Sequence, residues 1–242
     1  MISKTLMKQT VKNNIVLWAV LTGIQVLMVA GVASAGTNLQ QTALAYYNML
    51  PGLISAIYVI ITGNKLLAQQ VDKGTMAYVL SNPIKRSKVT ATQAVFFLGS
   101  LFLMFALSAA SHCIAHYIGS GGITATEIGH VVLLNLGLFC LNAALSGVCF
   151  LASSVFNLSK YAIAVGGGLV GAQILMSIMG MFGETFQWMR NFTLVTLFDI
   201  GSVLSPEPDS NAFVWKFIVL AAVGMITYTI GSVAFSKRDL PL

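Results

Sequence analysis

The chain has 242 residues, of which 57% are hydrophobic and only 8% charged, with a mean hydropathy of +0.84. So little polar surface excludes an ordinary soluble domain, which must cover its core with polar side chains. The net charge of +6 would fit a nucleic-acid binder, but the basic residues gather at the ends of apolar runs, so no nucleic-acid partner is expected.

Six runs contain no Asp, Glu, Lys or Arg: 15–35, 49–64, 89–126, 128–159, 161–183 and 217–236. A charge at the bilayer centre costs several kcal/mol, and about 20 helical residues cross the ~30 Å hydrocarbon core. The expected fold is therefore all-α, one polytopic membrane domain over 1–242. Its six spans are expected at 15–35, 49–67, 89–118, 128–156, 161–183 and 213–236.

Residues 1–14 precede the first span. Lys4, Lys8 and Lys12 repeat every fourth position and form one basic stripe on a helix, with Ile2 and Leu6 on another face. The pattern predicts an interfacial helix lying on the membrane before the chain turns inward at 14. Ala33-Ser34-Ala35 resembles a signal-cleavage site, but a signal core is about 7–15 residues and this run is nearer a full span, so a retained helix is expected.

Residues 36–48 carry no charge and read as an outer loop. Pro51 opens the second span, where a missing N–H is tolerated. In 66–88, Gly74 breaks the outgoing helix, Thr75 caps a short helix over 76–81, and Asn82-Pro83 stops it. Met76, Tyr78, Val79 and Leu80 make that helix too apolar for water. Two placements fit: back on the membrane surface, or docked into another protein.

The loop at 157–160 is very short. Residues 184–216 hold six charges among many apolar side chains, and read as short helices dipping into the outer leaflet without crossing it. Eleven of the 13 basic residues fall on one set of alternating helix ends, and five of the seven acidic residues on the other. The positive-inside rule then puts both termini in the cytoplasm, as an even number of spans requires.

No phosphate loop and no catalytic constellation are present, so neither enzyme activity nor a catalytic residue is expected. Gly167 and Gly171, one turn apart, read as a close helix contact. His112 and His116 flank Cys113 at helical spacing, but a metal would need further ligands, so polar packing or pore lining is expected and no metal site. Cys113, Cys140 and Cys149 lie in apolar runs and read as packing residues. Gln25, Asn135, Asn142 and Gln173 are buried amides that either join helices or line a path. Tyr58, Asn135, Asn142 and Gln173 are the candidate substrate path. No carboxylate lies within a span, so an ion-coupled carrier is not indicated.

The stretch Gln70-Val71-Asp72-Lys73-Gly74-Thr75-Met76-Ala77-Tyr78-Val79-Leu80-Ser81-Asn82-Pro83-Ile84-Lys85-Arg86 resembles the membrane subunit of bacterial type-2 ABC exporters. That family carries an acidic residue, Gly-Thr, an apolar helix, then Ser-x-Pro-x-x-Arg. The ending Phe235-Ser236-Lys237-Arg238-Asp239-Leu240 and the overall layout are similar too, although Gln69 and Gln70 stand where many members carry Glu. The resemblance implies a permease in the bacterial cytoplasmic membrane that pairs with a second copy, within membrane lipid, and with a separate ABC ATPase. The chain itself would hold no cofactor; ATP and Mg would bind the ATPase.

By the same resemblance Asp72, Gly74, Thr75, Met76, Tyr78, Val79, Leu80, Pro83 and Arg86 form the ATPase-coupling segment. Phe186, Met189 and Phe192 form an extracellular gate on re-entrant helices. Charge-free spans favour hydrophobic or amphipathic cargo, a peptide or a drug. An ATP-independent channel or a peptide-sensing immunity subunit are the competing expectations.

Overall fold

A computed structural model describes residues 3–35, 38–48, 50–80, 84–180, 182, 186–204 and 212–238. Among them every regular element is helical. Six helices are long and apolar enough to cross a membrane: Lys4–Ala35, Leu39–Asp72, Arg86–Ser120, Ala125–Val155, Ser159–Met179 and Phe213–Lys237. Each contains most of one expected span.

Helix α1 (Lys4–Ala35) runs unbroken through residue 14. The separate helix expected over 1–14, with a turn after it, is therefore corrected to an extension of the first span. No Gly or Pro interrupts 4–22, and Asn14 Nδ2 donates to Thr10 O at 2.9 Å instead of breaking the helix. At about 1.5 Å per residue α1 is about 48 Å long, so its basic end stands clear of a ~30 Å core. Lys4, Lys8 and Lys12 are exposed, while Leu6, Thr10 and Asn14 are buried. Ser3 N donates to Thr92 Oγ1 at 3.1 Å and Thr10 Oγ1 to Gln93 Oε1 at 3.2 Å. These bonds fasten the extension to the start of α6.

The expected loop at 36–48 is largely a helix, α2 (Leu39–Tyr47). Asn38 caps it, accepting from Gln40 N at 2.9 Å, and Tyr46 and Tyr47 are buried. Lack of charge reflected burial, not a loop. The second crossing continues through α3 (Leu50–Leu66) to α4 (Ala68–Asp72), and Gly74 joins it to α5 (Thr75–Leu80). Helix α6 (Arg86–Ser120) ends where Gly121 takes the left-handed conformation, φ +75°. Helix α7 (Ala125–Val155) opens on a capping box between Thr124 and Glu127.

Helix α7 is the axis of the bundle: 67% of its most apolar window is buried, against 17% for α1. Small residues let its neighbours approach. A Cβ on Gly224 would stand 3.3 Å from Ala143 backbone, and one on Gly231 3.1 Å from the Phe150 ring. A Cβ on Gly147 would overlap Thr227 Oγ1. Ser146 Oγ and Tyr228 OH share a 2.8 Å hydrogen bond along the same seam.

The fifth crossing is α8 (Ser159–Ala162), a π turn (Ile163–Gly167) and α9 (Gly168–Met179). Gly166 and Gly167 make its close contacts, with Cys149 and Ile60. Of the expected Gly167/Gly171 pair only Gly167 makes a close contact, since Gly171 faces open space, and Gly166 supplies the second one. Then come α10 (Gln187–Arg190), a 3-10 turn (Leu194–Leu197) and α11 (Ile200–Leu204), all too short to cross. Helix α12 (Ala212–Lys237) completes the set. Val16, Leu27, Ile118, Ile218 and Met225 are each more than 60% exposed, an outward apolar surface that only lipid or another apolar partner would cover.

Candidate functional site

The basic ends of the helices meet in one tightly linked cluster. Asn64 Nδ2 donates to Ser159 Oγ at 2.7 Å, and Ala68 N donates to Ser153 Oγ at 2.8 Å. Asp72 Oδ2 accepts from Ser159 N at 3.2 Å. A carboxylate is favourable there because the first N–H groups of a helix lack internal partners. The end of the second crossing and the start of the fifth thus form one mechanical unit.

Gly74 reverses the chain between α4 and α5 with φ +68°, and no atom lies within 4 Å of where its Cβ would stand. Its role is backbone freedom alone. Thr75 Oγ1 donates to Gln70 O at 3.1 Å across the turn. Asp72, Lys73 and Thr75 are exposed. Met76 is fully buried with Leu66, Leu67, Val71 and Val89 in the core. This corrects the expectation that Met76 is displayed: the Gly74 turn folds the start of α5 back onto the bundle, so its first apolar residue joins the core. The side chains of Tyr78, Val79 and Leu80, and residues Ser81, Asn82 and Pro83, lie outside the described residues.

Arg86 Nη1 donates to Arg238 O at 2.5 Å. Arg238 in turn donates through Nη1 to Ser154 O at 2.6 Å and through Nη2 to Asn157 Oδ1. Arg86 is therefore engaged in a staple joining α6, α7 and the end of α12. The resemblance placed Arg86 in the coupling segment, and the pairing of Arg86 with Arg238 was not foreseen.

The four candidate path residues do not converge on one cavity. Tyr58 donates to Ser100 Oγ at 2.6 Å, and Trp18 Nε1 donates to Ser100 O at 2.9 Å, tying α1, α3 and α6 together. Asn142 Nδ2 donates to Leu138 O at 2.9 Å and lines a small cavity of about 50 Å³ with Tyr47 and Phe198. Gln173 Oε1 accepts from Leu194 N at 3.2 Å, holding the 3-10 turn against α9. Asn135 opens onto an apolar groove of about 350 Å³ between α6 and α7, walled by Phe102, Phe105 and Phe139.

Asn135 Nδ2 also donates to Tyr47 OH at 2.7 Å, and Tyr47 OH lies 2.9 Å from His112 Nδ1. Having accepted from Asn135, the hydroxyl donates to His112. Tyr47 is the functional-looking residue that sequence reading missed. The signal was indirect: Asn135 and His112 are both buried and each needed a partner. Tyr47→Phe should lower stability by about 1–3 kcal/mol, by leaving those groups unsatisfied. Thermal unfolding in detergent checks this; an unchanged midpoint would contradict it.

His116 Nε2 lies 3.8 Å from Glu127 Oε1. Among the described residues no three His, Cys, Asp or Glu side chains gather as a metal site. Toward the acidic end Phe186 and Phe192 are exposed and Met189 is half-buried, with the Trp188 and Phe192 rings 6.0 Å apart.

Lys216 Nζ donates to Asp199 Oδ2 at 2.8 Å. Burial alone would raise the Asp199 carboxyl, but the Lys216 hydrogen bond and charge, with the Ser202 and Gly201 backbone, outweigh it and hold it below its ordinary range. A lowered carboxyl pKa gives stability that is present above the unfolded value near 4 and lost as pH falls through the folded one. Because the carboxylate is 45% exposed, Lys216→Met should cost only about 0.5–1 kcal/mol at pH 7. The difference from wild type should shrink as pH falls through the lowered folded value; an equal gap at neutral and at strongly acid pH would contradict this pair's role.

Fold and surface define a multi-pass helical membrane protein, with one basic and one acidic end. In comparisons with protein-family models and with curated proteins, the chain matches no family model and no curated sequence.

Proposed function

We propose that this chain is the transmembrane subunit of an ATP-driven exporter resembling the type-2 ABC class. It sits in the bacterial cytoplasmic membrane with both termini and the basic end inside. Two copies enclose the path, and a separate ATPase binds ATP and Mg at the inner face. The cargo is a hydrophobic or amphipathic peptide or drug, in keeping with charge-free spans and the aromatic groove beside Asn135.

The observation that carries this reading is the hinged pair α4–Gly74–α5 at the basic end, bonded through Asp72 to Ser159. A push on the outward face around Thr75 moves the second and fifth crossings together. The short helices α10 and α11 serve as the outer gate, with Phe186, Met189 and Phe192 at the exit. The chain in nanodiscs should hydrolyse no ATP alone and should stimulate its partner ATPase when the two are combined. Substrate flux through liposomes holding this chain without ATP would favour a channel instead. Protection of cells by a complex with a catalytically dead ATPase would favour an immunity subunit.

A further inference from the structure

The basic end holds a second feature, beside the coupling turn and sharing Thr75 with it. A polar cavity of about 330 Å³ lies between α1 and the α3–α5 segment. One wall is a single face of α1, with Gln9, Thr10, Asn13 and Asn14. The other carries Lys65, Gln69 and Lys73, spaced at four residues, with Gln70 and Thr75. No carboxylate lines it. Among the described residues neither lysine is within ion-pair distance of an acid, and Asp72 is turned away onto Ser159. Asn14 is only 4% exposed, yet its Oδ1 has no hydrogen-bond partner.

Depth fixes the setting. Lys12 and Lys65 bound an uninterrupted uncharged stretch, 13–64, that crosses the membrane twice. The cavity lies where that stretch begins and ends, at the level of lipid phosphates. Two unpaired ammonium groups and several amides offer donors to an anion. The orphaned Asn14 oxygen offers an acceptor, which a bare phosphate dianion does not use but a hydroxylated phosphate ester does. The volume fits one such group.

We infer that the cavity between α1 and α3–α5 binds a phosphate ester of a small polyol, presented as the headgroup of an anionic glycerophospholipid. Lys65 and Lys73 hold the phosphate, and Asn14 accepts from a headgroup hydroxyl. A lipid seated there braces the α1 extension against the hinged pair.

The test uses the delipidated full chain in non-ionic detergent, with native mass spectrometry as the readout. The probes are dioleoyl phosphatidylglycerol, dioleoyl phosphatidylcholine and soluble glycerol 3-phosphate. One phosphatidylglycerol per chain should bind about thirtyfold more tightly than phosphatidylcholine, since each of the two lysines near the surface favours an anionic lipid about fivefold. The Lys65→Gln/Lys73→Gln variant should lose that preference with an unchanged melting temperature in detergent. The Lys4→Gln/Lys8→Gln/Lys12→Gln variant, altered on the exposed stripe, should keep it. Displacement by glycerol 3-phosphate would support a site that reads the free ester as well; no displacement would support one that takes the lipid alone. Equal binding of both lipids, an undiminished preference in the Lys65/Lys73 variant, or an equal loss in the stripe variant would overturn the inference.

Discussion

Gly147→Val is expected to prevent a stably folded protein from accumulating. Even a Cβ at 147 overlaps Thr227 Oγ1 and stands 3.3 Å from Gly224 O, on the seam between the axial helix α7 and α12. Turning the Thr227 hydroxyl away would still leave that Cβ 3.1 Å from Thr227 Cβ as well as close to Gly224 O, so the two helices must separate to make room for the rest of a valine. Overpacking of this kind costs about 1–3 kcal/mol for one added methyl, and valine adds two more. Gly147→Ala should therefore be recoverable but destabilised by about 2 kcal/mol. Adding Thr227→Ala should restore part of the loss, since it removes the colliding oxygen. That oxygen bonds only to its own helix, at Val223 O and Gly224 O, so Thr227→Ala alone should cost under about 1 kcal/mol. Thermal unfolding of the four proteins in detergent gives the coupling. Additive effects in the double variant would show that the seam is looser than these distances imply.

The second large effect concerns Asp72. Its carboxylate is the charged bond between the hinged pair and the fifth crossing, 87 residues away in sequence. Asp72→Ala should leave the protein folded, because the residue is exposed and Asn64 and Ala68 still anchor α4. Coupling free energies of about 1–3 kcal/mol correspond to factors of 5–150, so substrate moved per ATP hydrolysed should fall about tenfold. Asp72→Asn retains an acceptor oxygen for Ser159 N and should keep most of the coupling. Transport and hydrolysis measured together in proteoliposomes decide this. Unchanged stoichiometry in Asp72→Ala would mean that force enters elsewhere.

The crossings were legible because desolvation of charge is the largest energy available to a single side chain in a membrane: Lys88, Glu127, Lys160 and Lys237 fall in the first or last turn of their helices, while Lys12 and Lys65 bound the uncharged stretch although their helices run on past them. The turn at Gly74 was legible for a local reason, since only glycine takes φ +68° without strain. What escaped depends on pairing across the bundle. Residues 36–48 looked like a loop because Gln and Asn are polar, yet Tyr46 and Tyr47 bury that helix. The separate helix over 1–14 was inferred from its stripe, but a stripe describes faces and says nothing of where a helix ends. Met76 read as an exposed apolar residue because the core it joins is reached only once the chain reverses at Gly74. Arg86 read as a charge marking re-entry, and its hydrogen bond to a backbone oxygen 152 residues away could not be foreseen from local sequence.

The central claim is that the outward face of α4–α5 receives force from an ATPase. Thr75 is exposed beside the hinge, and its side chain makes one hydrogen bond, to Gln70 O. The most direct measurement is a cross-link from Thr75→Cys, carrying a short cysteine-to-lysine reagent, in the complex isolated from its own membrane. The account predicts a covalent adduct with a phosphate-loop ATPase, formed in one nucleotide state and weakened in the other, while Lys4→Cys gives a weaker adduct that nucleotide does not change. An adduct independent of nucleotide, or a catalytically coupled complex in which Thr75→Cys reaches only lipid, would contradict it.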